Sequence, residues 1–303
     1  MAAAGNDVQH LDWASEALWR RLEPVLPGLS IEVVARIEST STELLGRARQ
    51  VGGRRSDDTQ PVLLVAEHQT RGRGRLGRAW VAEPGASLTF SLAVPLAPVT
   101  WTGLSLAAGA AIADAIDTTS GAPRIALKWP NDLWLLDAAP GPRRGRKLGG
   151  ILVETVSVGA QRMAIVGVGI NVQAPGLAEG LEHGAAGMVE LDPQTTPPAL
   201  LTQIALPLAA ALKRFEAEAL APFEAAWARR DLLRGQSVVT QGATPVAGIA
   251  EGIDASGALC VRDAAGTLHR LVGGEVSVRL QPAAGAADLP GRVTSPPAAA
   301  PDR

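Results

Sequence analysis

An arginine–glycine segment, residues 71–78, restricts the fold of this chain more than any other stretch. It holds four arginines and three glycines in eight residues, with no acidic residue among them. Glycine lets a backbone adopt positive φ and come close to a ligand, and arginine offers a permanently charged planar fork of donors that suits carboxylates and phosphates. The segment is therefore predicted to be a loop that holds an anion.

The glycines of this loop also match the dinucleotide-binding pattern G-x-G-x-x-G, at Gly72, Gly74 and Gly77. That pattern must open a helix inside a β-α-β unit, whereas residues 80–85 are poor in helix formers and lead into a predicted strand. A kinase glycine loop is excluded because no H-R-D or D-F-G sequence follows. A Walker phosphate-binding loop is excluded because Gly-Lys-Ser/Thr is absent. A solvated basic loop remains the alternative.

Composition predicts a globular protein with a local anion site. Of 303 residues, 47% are hydrophobic and 19% are charged, and the net charge is −2, which excludes global disorder and disfavours duplex nucleic acid as a partner. The length allows two domains. We find no secretory signal and no stretch of the ~18 apolar residues that a membrane span needs. A cytoplasmic protein without nucleic-acid or membrane partners is predicted.

Cysteine and histidine give no functional signal. The lone Cys260 excludes an internal disulfide and a zinc ribbon. The four histidines show no metal-ligand spacing, so no metal site made by protein side chains is expected.

Hydrophobic periodicity divides the chain into alternating elements up to residue 230. Helices are predicted at 11–26, 39–49, 104–116 and 197–230, the last with a break near Pro222. Ser39 or Thr40 is the expected N-cap of the second helix, and Glu43 has the capping-box spacing from Thr40. Strands are predicted at 31–37, 61–66, 87–94, 124–128, 133–136, 148–156 and 162–172. From Gln236 onward, short strands at 237–239, 247–252, 258–261 and 275–280 predict a small all-β barrel.

Three further motifs add functional groups to the loop. Residues 128–132 (Lys-Trp-Pro-Asn-Asp) combine a cation, an amide and a carboxylate on one corner, which suits a nucleotide and its magnesium, although an ordinary strand-to-turn corner has the same composition. Lys147 precedes two glycines and a strand, where it either faces an anion or simply begins the strand. Gly167 and Gly169 lie inside a predicted strand, which indicates close approach of a ligand or a bulge.

In their order along the chain, these motifs resemble the biotin–protein ligases, also called biotin–[acetyl-CoA carboxylase] ligases. The resemblance covers about residues 31–280. The matching series is 38–40 (Glu-Ser-Thr), 67–80 (Glu-His-Gln, the arginine–glycine loop and Trp80), 128–132, 147–154, 167–171 and 273–277 (Gly-Gly-Glu-Val-Ser).

The resemblance implies an α+β fold, in which a mixed-sheet, class II synthetase-like catalytic domain precedes a small SH3-like β-barrel. On this resemblance a biotin- and ATP-binding catalytic domain spans 31–233 and the SH3-like domain spans 234–282. The helical periodicity of 11–26 adds an N-terminal helical extension at 1–30, and the Ala/Pro/Gly-rich residues 283–303 are predicted to be a disordered tail. The resemblance also implies the activity: ATP, accompanied by Mg²⁺, activates biotin as biotinyl-5'-AMP. The biotin then passes to a lysine of the biotin carboxyl carrier domain of acetyl-CoA carboxylase. The resemblance allows a homodimer but does not decide the oligomeric state.

The same resemblance implies which residues bind each substrate. Biotin would contact Ser39, Thr40, Ser41, Gln69, Gly72, Arg73, Gly74, Arg75, Lys147 and Gly150. ATP would contact Arg75, Arg78, Trp80, Lys128, Asn131, Asp132 and Asn171, with Trp80 near the adenine. The expected catalytic residues are Arg73, Lys147 and Asp132, and Asp132 would steer the incoming lysine or accept its proton.

This chemistry explains a site rich in cations and without a histidine or cysteine nucleophile. A carboxylate is already ionised at pH 7 and needs no base. The obstacle is repulsion between that carboxylate and the triphosphate, which cations in a dry pocket reduce by electrostatics and positioning. A glycine-rich loop that closes over the adenylate would also keep water away from it.

The sequence departs from the family pattern in three places. Glu38 and Ser41 stand where the family usually has aspartate and often has asparagine, and residues 140–144 look like an insertion that bulges into solvent. Only 38 residues precede Ser39, too few for the winged helix-turn-helix of repressor-type members, so a ligase without operator binding is expected.

Two other functions remain as alternatives. Lipoate ligases and octanoyltransferases share the broad fold, but the arginine–glycine loop and residues 128–132 match the biotin group more closely. An arginine–glycine module for single-stranded nucleic acid would have aromatic residues among its arginines, whereas only Trp80 lies nearby.

Overall fold

The computed structural model describes residues 11–50, 59–117, 119, 121–138, 145–176, 184–241, 245–272 and 277–280. The predicted tail at 283–303, the insertion at 140–144 and residues 273–276 of the last motif lie outside these ranges. Within them, every helix is too short or too polar to cross a lipid bilayer.

Helices and strands follow the predicted periodicities closely up to residue 230. The helices are α1 (Ser15–Leu22), α2 (Thr40–Gln50), α3 (Leu104–Ile116), α4 (Pro197–Glu218) and α5 (Glu224–Arg230). The strands are β1 (Ser30–Ile37), β2 (Val62–Gln69), β3 (Gly72–Arg73), β4 (Ala79–Trp80), β5 (Ser87–Pro95), β6 (Ile125–Lys128), β7 (Asp132–Leu136), β8 (Gly145–Val158) and β9 (Gln161–Asn171).

Seven of these strands form one mixed sheet, in the order β1-β2-β5-β9-β8-β7-β6. β1 and β2 run parallel and are connected through α2, as a parallel pair requires a crossover. All other neighbouring pairs in this sheet are antiparallel. The predicted α+β fold with a mixed sheet is confirmed.

The two faces of this sheet differ because side chains alternate along each strand. On one face, Val166 and Val168 of β9 pack in a large apolar core with α3 and α4. On the other face, Ile165 of the same strand packs against Leu44 and Leu45 of α2. The part of this second face that α2 does not cover is open to a ligand.

A second, antiparallel sheet follows, in the order β13-β12-β11-β10-β14. Its strands are β10 (Ser237–Gln241), β11 (Ala247–Ile253), β12 (Leu259–Arg262), β13 (Leu268–Leu271) and β14 (Ser277–Leu280). The predicted small all-β unit is therefore present. β13 was not predicted, because its sequence, Leu-His-Arg-Leu, is short and contains no β-branched residue.

The N-terminal helix belongs to the main core. Leu18 and Leu22 of α1 are buried in the large apolar cluster, and Trp13, just before the helix, is also buried. The indole N–H of Trp13 donates to Glu67 Oε1 on β2 (3.1 Å). This hydrogen bond attaches the N-terminal segment to the strand that leads into the arginine–glycine loop.

Candidate active site

A cavity of about 630 Å³ lies on the open part of the sheet face that α2 partly covers. Its walls are the start of α2, the end of β2, the arginine–glycine loop, the corner between β6 and β7, and facing residues of β8 and β9. β14 of the second sheet adds Val278 and Arg279. The motifs singled out in the sequence therefore converge on one cavity.

The first turn of α2 reaches this cavity because of how the helix begins. Ser39 acts as the N-cap, since its Oγ accepts a hydrogen bond from the backbone N–H of Thr42 (3.4 Å). The predicted capping box between Thr40 and Glu43 is wrong: Glu43 pairs with Arg47 at 2.9 Å. Thr40 is thereby left free to face the cavity.

Buried hydroxyl and amide groups form one end of the cavity. Thr40 Oγ1 donates to Gln69 Oε1 (3.1 Å) and lies 2.7 Å from Ser91 Oγ. Ser41 Oγ lies 3.0 Å from the same Ser91 oxygen. Hydroxyl and amide groups both donate and accept, so this end suits a neutral polar group with hydrogen-bonding edges.

Two glycines of β9 make room for side chains of the cavity wall. A Cβ on Gly167 would lie 2.4 Å from Ser41 Oγ, and a Cβ on Gly169 would lie 2.5 Å from Cε2 of Trp80. β9 pairs regularly with both neighbours at these positions, so a bulge is not the reason for the glycines. The close approach is made by Ser41 and Trp80.

A bulge does occur on β8, where it aims Lys147 into the cavity. The ladder with β7 shifts register between Leu133 and Trp134, which inserts one extra residue on β8. In a regular strand Lys147 and Gly150, three residues apart, would face opposite sides of the sheet. Here both lie on the cavity wall, and Lys147 Nζ donates to Asp132 Oδ1 at 2.8 Å.

Lys128 adds a second ammonium group to this wall. It lies 4.8 Å from the ring centroid of Trp134, a cation–π contact. Burial is the main cause that lowers the pKa of Lys128, and the charges of Lys147 and Arg78 lower it further while Asp132 opposes them. A bound anion would relieve this repulsion, so the wall favours negatively charged ligands.

The arginine–glycine loop lines the same cavity as these cations. Its central residues, Arg75–Gly77, form a single 3-10 turn, after which β4 pairs back onto β3. A helix therefore does not follow the glycines, and the exclusion of a dinucleotide-binding loop is confirmed. Arg75 Nη1 donates to Asn131 Oδ1 at 3.2 Å, and burial lowers the pKa of the Arg75 guanidinium.

These groups give the cavity two chemically different ends. The Ser/Thr/Gln end carries neutral hydrogen-bonding groups, while the Trp80 end offers an aromatic surface. Cations line the same cavity, and Asp132 is the one carboxylate among the described lining residues. The arrangement fits two reactants that together present a neutral hydrogen-bonding group, an aromatic ring and anionic groups.

Comparison with known proteins agrees with this geometry. The Biotin/lipoate A/B protein ligase family matches residues 33–171, and the Biotin protein ligase C terminal domain matches residues 235–279. The bifunctional ligase/repressor BirA of Salmonella typhimurium is 35% identical over 264 residues, which cover 86% of this chain and 77% of the relative. The biotin–[acetyl-CoA-carboxylase] ligase of Paracoccus denitrificans is 33% identical over 77% of this chain and 95% of its own. This chain belongs to the biotin protein ligase family.

Solved structures of the family have the same fold. The biotin protein ligase from Aquifex aeolicus in complex with biotin and ATP matches with a TM-score of 0.65 and 25% identity, over 84% of this chain and 100% of the other. The predicted catalytic domain followed by a small SH3-like domain is thus the fold of the family.

The residues predicted from the family resemblance gather almost completely in the cavity. Its lining includes Ser39, Thr40, Ser41, Gln69, Arg73, Gly74, Arg75, Arg78, Trp80, Lys128, Asn131, Asp132, Lys147, Gly150 and Asn171. Gly72 is the exception. A Cβ there would lie 2.5 Å from the backbone O of Trp80, so this glycine permits the pairing of β3 with β4 behind the wall.

Three residues of the site were missed from the sequence. Ser91, fully buried on β5, connects Thr40 with Ser41. Trp134 stacks under Lys128, and Arg279 reaches the cavity from the second sheet. The contacts of Ser91 and Arg279 join residues far apart in sequence, whereas Trp134 meets Lys128 across the β6–β7 hairpin; the alternating strand pattern around them gives no signal of either kind of contact.

The corner at 128–132 is held in place by the second sheet as well as by its own strands. Trp129, 2% exposed, donates its indole N–H to the backbone O of Gly257 (3.1 Å), which lies in the turn between β11 and β12. Ser105 Oγ donates to Pro130 O (3.1 Å), and Asn131 Nδ2 donates to Ile151 O (2.8 Å). The small domain therefore helps to position the corner.

Replacing Trp129 with phenylalanine should destabilise the protein by about 1–3 kcal/mol, because a buried carbonyl loses its donor. Urea unfolding of the variant measures this. Trp19→Phe is the comparison: its indole also donates to a carbonyl, Leu29 O (2.9 Å), but Trp19 is 42% exposed, so less buried contact is lost and a smaller destabilisation is expected. Equal losses in both variants would contradict a larger contribution of the Trp129 contact to stability.

Proposed function

We propose that this protein activates biotin with ATP and transfers it to a lysine of a biotin carboxyl carrier domain. The observation that carries the proposal is a single cavity whose lining brings together neutral hydrogen-bonding groups, several cations and the Trp80 ring. Ser39, Thr40 and Gln69 would bind the ring end of biotin, and Trp80 would bind the adenine. The reacting carboxylate and phosphate would then meet beside Lys147.

The first half-reaction joins two anions. The biotin carboxylate attacks the α-phosphorus of ATP, an acyl–phosphate bond forms, and pyrophosphate leaves. Lys147, Arg73 and Arg75 would offset the charge that gathers at the α-phosphate, where fixed cations in a dry site are most effective. Lys128, Arg78, Asn131 and Asn171 would hold the nucleotide.

Mg²⁺ would enter with ATP and neutralise part of the triphosphate charge. Across the described residues, no group of three His, Cys, Asp or Glu side chains is placed to hold a metal ion. Phosphate oxygens would therefore supply most of the ligands, with Asp132 as the carboxylate within the cavity.

In the second half-reaction a lysine amine of the carrier attacks the carbonyl carbon of the adenylate. The lysine, which arrives as an ammonium, gives one proton to solvent before it attacks. The acyl–phosphate bond then breaks, AMP leaves, and the nitrogen gives up a second proton as the amide, which keeps one N–H, forms. Asp132 would accept this second proton. Since this proton leaves only in the transfer step, Asp132→Asn should slow transfer more than adenylate formation; equal slowing would assign Asp132 to the nucleotide or to its ion pair with Lys147 (2.8 Å).

Biotin transfer is tested with purified carrier domain from a biotin-dependent carboxylase. The carrier should gain one biotin when the protein, biotin and ATP are all present, as seen by intact mass. A carrier whose acceptor lysine is replaced by arginine should gain none. Lipoate attachment in place of biotin would favour the alternative of a lipoate ligase.

The arginine–glycine loop should close when both substrates are bound. Leu76 is exposed and has φ of 57°, a conformation that costs a non-glycine residue about 1 kcal/mol, so the loop is easily rearranged. Amide hydrogen exchange of residues 71–79 should slow when biotin and ATP are added together. The hairpin turn at 158–161, remote from the cavity lining, is the control segment, and unchanged exchange at 71–79 would contradict closure.

A further inference from the structure

A second cavity, of about 500 Å³, also borders the arginine–glycine loop. The two cavities share loop residues 73–76, residues 129–131 of the corner and residues 151–152 of β8. The second cavity therefore adjoins the first at Arg73 and Arg75, two of the cations proposed to offset the charge of the α-phosphate. An amine that attacks the adenylate from this side must cross it.

Charged groups on the wall of this second cavity are few. Its lining contains two arginines, Arg73 and Arg75, and a single carboxylate, Glu154 of β8. A lysine ammonium that entered would be repelled by both arginines, and Glu154 is the lining group that attracts it.

Glu154 is also incompletely satisfied by its present contacts. Its Oε1 lies 3.3 Å from Arg73 Nη2, longer than the ~2.7–2.9 Å typical of a charge-assisted hydrogen bond. Its Oε2 is buried and has no hydrogen-bond partner among the described residues. Arg73 shares its guanidinium with Thr42, whose Oγ1 accepts from Nη1 at 3.3 Å. Glu154 Oε2 thus lacks a donor, and because this atom is buried while the side chain as a whole is 24% exposed, the carboxylate must turn to present it to the cavity.

We propose that Glu154 binds the ε-ammonium of the acceptor lysine and guides it to the adenylate. The ammonium carries three donors, and one of them would bind the unpartnered Oε2 once the carboxylate has turned toward the cavity. Glu154 acts as a positioning residue for the second half-reaction, and the acyl transfer itself follows the steps given above. This inference rests on the proposed function, because it assigns the residue with which the proposed ligase would recognise its acceptor lysine.

The test compares Glu154→Gln with the wild-type protein in both half-reactions. Glutamine keeps the size of the side chain and an oxygen that accepts from Arg73, so it removes only the charge. Biotin-dependent exchange of pyrophosphate into ATP should stay within about twofold of wild type. The KM for the carrier domain should rise by about tenfold or more, the scale expected when one member of a charge pair is lost. Glu154→Asp, which retains the charge, should recover part of the effect.

Glu38→Gln is the matched control. Glu38 pairs with Arg71, another arginine of the same loop, at the same distance of 3.3 Å, but Glu38 lines neither cavity. The KM of the Glu38→Gln variant for the carrier domain should equal that of the wild-type protein. Hydroxylamine, a small neutral amine, should cleave the preformed adenylate equally fast in wild type and Glu154→Gln, because it brings no ammonium to recognise.

Two results would overturn the inference while leaving the proposed function in place. If pyrophosphate exchange and transfer fell together in Glu154→Gln, Glu154 would serve only to orient Arg73. If the KM for the carrier stayed at the wild-type value, Glu154 would have no part in acceptor binding. Failure of the proposed function would show differently, as absence of biotin-dependent exchange in the wild-type protein.

Discussion

Replacing Lys147 with alanine should reduce biotin-dependent pyrophosphate exchange by about 100- to 1000-fold, the usual effect of removing one fixed donor from a site where charge develops. The bulge on β8 aims this ammonium into the cavity beside Asp132. Without Lys147, the carboxylate of Asp132 would remain in the cavity and repel both anionic reactants. The exchange rate should therefore fall further than it would if only the contact between Lys147 and the substrates were lost.

Lys213→Ala controls for the loss of a lysine in general. Lys213 lies on α4, pairs with Glu216 and is 43% exposed, outside the cavity lining. That variant should retain wild-type exchange, and both variants should show the circular dichroism of the wild-type fold. Retained exchange in folded Lys147→Ala would remove this lysine from the mechanism.

Adding a single methyl group at Gly167 or Gly169 should impair one substrate each. The Cβ of Gly167→Ala would collide with Ser41 at the hydroxyl end, and that of Gly169→Ala with the Trp80 ring. Overpacking of this kind costs about 1–3 kcal/mol of stability, and the same cost placed on substrate binding would lower affinity by about 5- to 150-fold. Gly167→Ala should therefore raise the KM for biotin, and Gly169→Ala should raise the KM for ATP.

Gly46→Ala is the control for the glycine substitutions. Gly46 lies inside α2 with nothing within 4 Å of an added Cβ, so alanine should leave both KM values unchanged and stabilise the helix by up to about 1 kcal/mol. Steady-state kinetics with biotin and ATP varied in turn give the two KM values of each variant. An equal rise of both KM values in either β9 variant would contradict the division of the cavity into two ends.

Local patterns in the sequence predicted most of the elements around the cavity. Periodicities of two and of 3.6 residues placed the strands and α3 because burial imposes those repeats directly. Glycine density and the lack of helix formers after Gly77 predicted a loop, and the 3-10 turn at Arg75–Gly77 confirms it.

The remaining features depend on contacts between distant segments. The bulge that turns Lys147 toward the cavity arises from pairing with β7, and no residue type at 147–150 specifies it. Ser91 looks like any small polar residue of a strand until α2 brings Thr40 and Ser41 against it. Arg279 reaches the cavity only because the second sheet docks there. Such contacts follow from the tertiary fold and carry no short-range signature.

Biotin-dependent exchange of labelled pyrophosphate into ATP tests the central claim most directly, because it requires the cavity to activate a carboxylate on ATP without any carrier protein. The wild-type protein should catalyse exchange when biotin is added and show only background exchange with lipoate. Exchange that depended on lipoate, or that was equally fast with neither acid present, would contradict the proposal that this cavity forms biotinyl-AMP.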